Sequence, residues 1–84
     1  MAGPKSVRLS RRAEKALEAV EAHYKNHLKE AIRELSNNPL LGKKLKGEFE
    51  GLRSYRVGRF RIVYRFVKDL LEVVYVDDRK DVYR

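Results

Sequence analysis

Arg56 and Arg61 are the two residues whose placement most suggests chemistry. They flank Gly58-Arg59, a pair that suits a two-residue hairpin turn because glycine tolerates positive φ. With that turn as the loop, Val57 pairs with Phe60, Arg56 with Arg61, Tyr55 with Ile62 and Ser54 with Val63. Like charges directly opposed on a sheet cost about 0.2–1 kcal/mol. Either the two arginines splay into solvent, or an anion binds between them. Their surroundings favour the anion. Arg53 and Arg65 share the segment, and Ser54 is a candidate hydroxyl. Lys43, Lys44 and Lys46 lie in the approach, and the chain closes on Arg79, Tyr83 and Arg84. Such a set suits phosphate binding and the stabilisation of a charged transition state. Cleavage of a phosphodiester through a ribose 2′-hydroxyl needs little more. The nucleophile then belongs to RNA, and the protein positions it, stabilises the phosphorane and moves protons. A tyrosine can also stack on a splayed base.

Other chemistries find less support. His23 and His27 have the i, i+4 spacing that can bind a metal, but no third ligand is evident, so they read as helix-surface residues. There is no glycine-rich phosphate loop, and neither histidine comes near the arginine-bearing segment, which leaves no Ser/His/Asp system. Asp77 and Asp78 read as turn caps or as partners of Arg79. With no cysteine in the chain, disulfides, thiol chemistry and cysteine metal sites are excluded. No metal and no cofactor is expected.

The formal net charge is +8 in 84 residues, which calls for a polyanionic or acidic partner. Most of the excess is local. Between Lys43 and Lys68 stand nine lysines and arginines against Glu48 and Glu50. These cations sit on strands and loops rather than along one helix face, which favours nucleic acid over a membrane surface. No apolar run approaches the roughly 18 residues of a membrane span, and Met1 to Lys5 lead into no apolar signal segment. The expectation is one cytoplasmic domain covering residues 1–84.

The elements that must hold these residues can be read in order. Residues Lys5 to Leu9 alternate as a short edge strand, and Ser10 is a plausible helix N-cap. Ala13, Ala16, Leu17, Val20 and Tyr24 keep helical spacing, repeated by Leu28, Ala31, Ile32 and Leu35. Asn37-Asn38-Pro39 stops the pattern, since a residue before proline avoids the α region. One straight helix of that length would overhang so small a domain, so a break is expected near Lys25-Asn26, giving a helical hairpin. Residues 40–51 form a loop that brings the three lysines to the sheet edge. From Leu52 to Asp77 the chain reads as three antiparallel strands, with a second, weaker turn at Lys68-Asp69. That turn pairs Phe66 with Leu71, Arg65 with Glu72, Tyr64 with Val73, Val63 with Val74 and Ile62 with Tyr75. One face then carries Tyr55, Val57, Phe60, Ile62, Tyr64, Phe66, Leu71, Val73 and Tyr75 as a core. The other carries Ser54, Arg56, Arg61, Val63, Arg65, Glu72, Val74 and Val76, with no acid opposite the Arg56–Arg61 pair. The fold class is α+β, ordered β-α-α-β-β-β, with the helical hairpin on one face of a mainly antiparallel sheet.

The run Leu45-Lys46-Gly47, the stretch GLRSYRVGRFRIVYRF from Gly51 to Phe66 and the ending from Arg79 to Arg84 resemble the RelE/ParE superfamily of type II toxin–antitoxin toxins. The resemblance covers nearly the whole chain. It implies the RelE-like fold and, for RelE-type members, cleavage of mRNA in the ribosomal A site. Carried across, Arg56 and Arg61 match basic strand residues, Arg61 the one that contacts the scissile phosphate. Arg79 matches a C-terminal arginine that donates a proton or stabilises charge, and Tyr83 a tyrosine that stacks on a base. Lys43, Lys44, Lys46, Arg53, Ser54 and Arg65 would line the RNA. Ser54 stands where the best-known members carry a second basic residue, which leaves the general base open among Arg56, Arg53 and a loop lysine. ParE-type members share the fold but poison DNA gyrase, and a degenerate, non-toxic binding module is a third reading. The resemblance also implies a RelB-like antitoxin in a hetero-oligomer, which would cover exposed Val63, Val74 and Val76.

Overall fold

The structure, a computed structural model, describes residues 6–78; the expectations for Arg79 and Tyr83 lie outside the described residues. Two helices pack on one face of a five-stranded sheet. Strand β1 (Ser6–Leu9) leads to α1 (Arg11–Glu18) and α2 (Ala22–Asn37). Then come a two-residue strand β2 (Lys43–Lys44), one 3-10 turn (Gly47–Phe49), β3 (Arg53–Val57), β4 (Phe60–Val67) and β5 (Leu70–Asp78). The sheet order is β1-β5-β4-β3-β2, antiparallel except where edge strand β1 runs parallel to β5. The expected class and order therefore hold, with one addition: the lysine loop contains a short edge strand.

Both hairpin turns fall where expected. Gly58 has φ +61, the conformation that made glycine informative there, and Lys68 takes φ 55 without glycine's freedom. The β3–β4 register is the one the alternation demanded, Arg56 opposite Arg61 included. The β4–β5 register holds only for its first half. Phe66–Leu71, Arg65–Glu72 and Tyr64–Val73 pair as expected, then Val74 bulges out, so that Val63 faces Tyr75, Ile62 faces Val76 and Arg61 faces Asp77.

That bulge corrects the face assignments. Val76 is 7% exposed in the helix-side core, and Tyr75 moves to the opposite face, where the Arg12 guanidinium lies 4.9 Å from its ring centre. Val63, on the open face, is only 1% exposed, so neither Val63 nor Val76 offers the exposed apolar surface expected there. The core joins Ala13, Leu17, Leu28, Ala31, Ile32 and Leu35 of the helices to Phe60, Ile62, Tyr64, Leu71, Val73 and Val76 of the sheet.

The helix break falls at Ala19–Glu21, not at Lys25-Asn26. Val20 packs against the core while Glu21 turns extended (φ −58, ψ 148) and its carbonyl accepts from the N–H groups of Tyr24 and Lys25 at 2.9 Å. The apolar spacing runs through the break because Val20 and Tyr24 both still reach the core, so periodicity could not reveal it. With the break there, α1 lies over β5 and β1 while α2 reaches towards β3.

Ser10 ties the helices to the bulge. Its hydroxyl oxygen accepts from the Ala13 N–H at 3.0 Å, capping α1, and its O–H donates to the Val74 carbonyl. Its own N–H donates to the Val73 carbonyl at 3.0 Å. Ser10→Ala removes the cap and leaves the bulge carbonyl without this donor. It is expected to cost about 2 kcal/mol in chemical denaturation, the upper range for a lost N-cap.

Candidate nucleic-acid interface

The open face is built by register. Strand residues alternate between faces, so the pairing sets Lys43, Ser54, Val63 and Tyr75 in one row across β2, β3, β4 and β5. The next row is Arg56, Arg61 and Asp77, and nearer the other end lie Arg8, Glu72 and Arg65. The two-residue turn makes Val57–Phe60 a hydrogen-bonded pair and so makes Arg56–Arg61 the closer, non-hydrogen-bonded kind, with Cα atoms about 4.5 Å apart. Two guanidiniums are thus rooted side by side. The expectation that no acid stands opposite them is corrected: the bulge brings Asp77 opposite Arg61.

Among the described residues two ion pairs form, Arg65 with Glu72 at 2.8 Å and Arg59 with Asp78 at 3.1 Å. Arg59 also lies over the rings of Tyr24 and Phe60, at 4.5 and 5.1 Å, and so belongs to the hairpin's seat on α2. Neither Arg56 nor Arg61 takes part in either pair. They border an open groove of about 610 Å3 together with Lys43, Lys44 and Ser54, and with Leu41, Leu45 and Tyr55. Among the described residues no acid lines this groove.

A second hollow of about 620 Å3 shares Lys44 and Leu45 with the first and adds Lys46, Arg53 and Arg65. The structure thus gathers Arg56, Arg61, Ser54, Lys43 and Lys44 at one groove, and places Lys46, Arg53 and Arg65 at its neighbour. Arg65 is engaged with Glu72. Arg53 donates from Nε to the Gly42 carbonyl at 3.2 Å, so part of its guanidinium holds the loop. Among the described residues no group of three or more His, Cys, Asp or Glu is placed to hold a metal. His23 and His27 stand edge to face, ring centres 5.2 Å apart, on exposed helix surface.

What positions the lysines is a latch in the core that the sequence pattern did not announce. Tyr64 is fully buried, and its hydroxyl donates to the Pro39 carbonyl at 2.7 Å and accepts from the Gly42 N–H at 2.9 Å. Gly42 is needed for space: a Cβ there would sit 2.6 Å from the Tyr64 hydroxyl oxygen and 2.8 Å from the Ser54 carbonyl. The next residue is Lys43. Tyr64 read in the sequence as one more core aromatic, and Leu41-Gly42-Lys43 as loop; only their meeting shows the function of either. Nearby, Tyr55 donates to the Glu34 carboxylate at 3.3 Å.

Over residues 7–83 the sequence matches the family described as ParE toxin of type II toxin–antitoxin system, parDE. The chain belongs to that family. The toxin is 30% identical to a chain of a RelBE toxin–antitoxin complex from Mycobacterium tuberculosis, over 94% of each chain, with a TM-score of 0.86. It is 28% identical to a chain of the RelB–RelE antitoxin–toxin complex from Methanococcus jannaschii, over 90% of this chain and 94% of that one, with a TM-score of 0.71. A chain from the chromosomal ParDE system of P. aeruginosa, 18% identical over 87% of this chain and 94% of that one, shares the fold at a TM-score of 0.71. No curated relative matches the sequence. The toxin thus resembles solved proteins bearing both names of its superfamily.

Burial pushes the Tyr64 phenol up, against the smaller opposing effects of Gly42 and Arg53. The folded state then holds this proton more tightly than the unfolded state, whose tyrosine titrates near pH 10. The stability it contributes is complete below about pH 10 and is lost as pH climbs from there through the folded value. Tyr64→Phe is expected to lower stability at neutral pH by about 1–3 kcal/mol, since the Gly42 N–H and Pro39 carbonyl lose their buried partner. It should also flatten the alkaline fall in stability, leaving a slope from Tyr55, whose phenol burial and Glu34 also raise. Denaturation between pH 7 and 11 reads both effects.

Proposed function

We propose that this toxin is an endoribonuclease that cuts mRNA on the ribosome and so stops translation. The observation that carries this reading is the pair Arg56 and Arg61, rooted side by side on a groove that Lys43 and Lys44 also line and that, among the described residues, no acid lines. Two opposed arginines cost stability where nothing binds, and a phosphate between them reverses the sign of that interaction. In the reaction the 2′-hydroxyl of the substrate ribose attacks the adjacent phosphorus. Arg56 and Arg61 stabilise the charge that builds on the phosphorane oxygens. The P–O5′ bond breaks, leaving a 2′,3′-cyclic phosphate on one fragment and a 5′-hydroxyl on the other. Arg79 protonates the leaving oxygen or stabilises its charge, and Tyr83 stacks on a base; both roles rest on the family resemblance. Ser54 cannot serve as the base, and Arg56 and Arg53 stay protonated and act as cations. Of the candidates, a loop lysine in its neutral form is therefore the group that takes the proton of the 2′-hydroxyl.

An antitoxin of the RelB kind is the proposed partner, on the strength of the RelB–RelE complexes that the chain resembles. A toxin carrying a net charge of +8 would meet an acidic segment of such a partner with fast, salt-sensitive association. The whole assembly works in the cytoplasm, where ribosomes and antitoxin are found together.

The family match itself bears the ParE name and favours a second reading, inhibition of DNA gyrase by protein contact. Growth assays separate the two. Arg61→Ala and Arg79→Ala are each expected to abolish growth arrest while leaving the thermal transition in place. If the double variant still arrests growth, with a DNA-damage response and inhibited supercoiling by purified gyrase, the nuclease reading falls and the gyrase reading stands.

A further inference from the structure

Strand β2 is two residues long, and alternation sends its lysines to opposite sides. Lys43 pairs with Ser54 on the open face, beside Arg56 and Arg61. Lys44 pairs with Arg53 on the other side of the strand. There β3 has only just begun, opposite Tyr64, and β4 runs on past it with Arg65 and Phe66. The loop from Leu45 to Leu52 folds back over that overhang, closed by the Leu45 N–H to Leu52 carbonyl bond at 3.0 Å. The space it encloses is the hollow of about 620 Å3, and Lys44 and Leu45 form the wall it shares with the phosphate groove.

The hollow's chemistry is not that of a second bare cation patch. Lys44 and Lys46 are exposed and, among the described residues, in no ion pair. Leu45, Leu52 and Phe66 are half-buried around them and give an apolar lining with an aromatic ring in it. Among the described residues Glu50 is the one acid that lines it. Gly47 and Gly51, with φ +70 and +95 and open space where a Cβ would stand, leave the loop backbone open to close approach. Cations beside an aromatic ring are what single-stranded nucleic acids use, phosphate on the charge and base on the ring. An acidic peptide would satisfy the lysines but would leave Phe66 without a flat partner.

We propose that this hollow is a second nucleotide subsite, which holds the residue next to the scissile one in a single-stranded RNA. Its phosphate lies against Lys44 and Lys46 and its base over Phe66, so the strand crosses the edge of β2 between the two lysines. The proposal rests on the nuclease reading and deepens it. RNA would then be recognised over at least three nucleotides by the toxin alone.

The test uses the purified toxin at low salt and fluorescence anisotropy with 2′-O-methyl oligonucleotides, which cannot be cut. A tetranucleotide, one of whose two added nucleotides occupies the subsite, is expected to bind about tenfold more tightly than a dinucleotide, the gain for that one stacked base and its phosphate. Lys46→Gln should bring that ratio close to one and reduce the tetranucleotide's salt slope by about 0.7. Lys46 is exposed, so the variant should fold as the parent does. Arg61→Gln should weaken both probes and keep the ratio. If the parent binds both probes equally, or Lys46→Gln keeps the tenfold ratio, the subsite is overturned while the phosphate groove stands. If the parent binds neither, the subsite is overturned, and the nuclease reading is decided separately by cleavage of message on the ribosome. A glutamate-rich peptide that displaces the tetranucleotide from the parent but leaves the dinucleotide bound would assign the hollow to a protein partner and overturn the proposal.

Discussion

The three hydrogen bonds of Ser10 hold the register on which the open face depends. Its hydroxyl closes the first turn of α1 and reaches the carbonyl of Val74, the extra residue of β5, while its N–H takes the carbonyl before it. Everything beyond that point on β5 is displaced by one residue. Val76 enters the core, Tyr75 leaves it, and Asp77 comes opposite Arg61. A sheet without the bulge would bury Tyr75 and leave Arg56 and Arg61 with a valine on their far side. With it, Arg61 stands in register between a like charge and an opposite one, and both arginines border the groove. The helix start and the chemical face are thereby set by one side chain that touches neither arginine.

The second constraint lies at the other edge of the sheet. Two lysines on a two-residue strand have little local structure to hold them. The Tyr64 hydroxyl supplies it from inside the core by fixing Pro39 and Gly42, and Arg53 adds a bond to the Gly42 carbonyl. The cations of the groove thus come from three strands whose relative placement is decided by buried groups. Such an arrangement keeps charge in place with little reorganisation when an anion arrives, and electrostatic stabilisation of a transition state depends on that.

Much of this was legible in the sequence. The alternation from Tyr55 to Phe66 and the glycine at position 58 specified the β3–β4 hairpin completely, because a one-residue slip would have put Arg56 and Arg61 in the core. The fold class followed from that hairpin together with the helical spacing from Ala13 to Leu35, and the family from the stretch Gly51 to Phe66 with Leu45-Lys46-Gly47 and the ending from Arg79 to Arg84. The bulge was not legible. Leu70 to Val76 is apolar at nearly every position, so the pattern constrains neither face, and the residue that decides it, Ser10, is over sixty positions away. The helix break was hidden for a similar reason, since Val20 serves the core on either side of it. At the site, charge was visible as composition, but its division into two grooves depends on the length of β2, which has no signal of its own in Lys43-Lys44.

The central claim is that these grooves act on message during translation. Purified toxin in a cell-free translation reaction, followed by primer extension along the mRNA, tests it most directly. The account predicts cuts on translated message, none on the same message without ribosomes, and none with Arg61→Ala. Intact message and normal protein synthesis at toxin concentrations that arrest growth would contradict it.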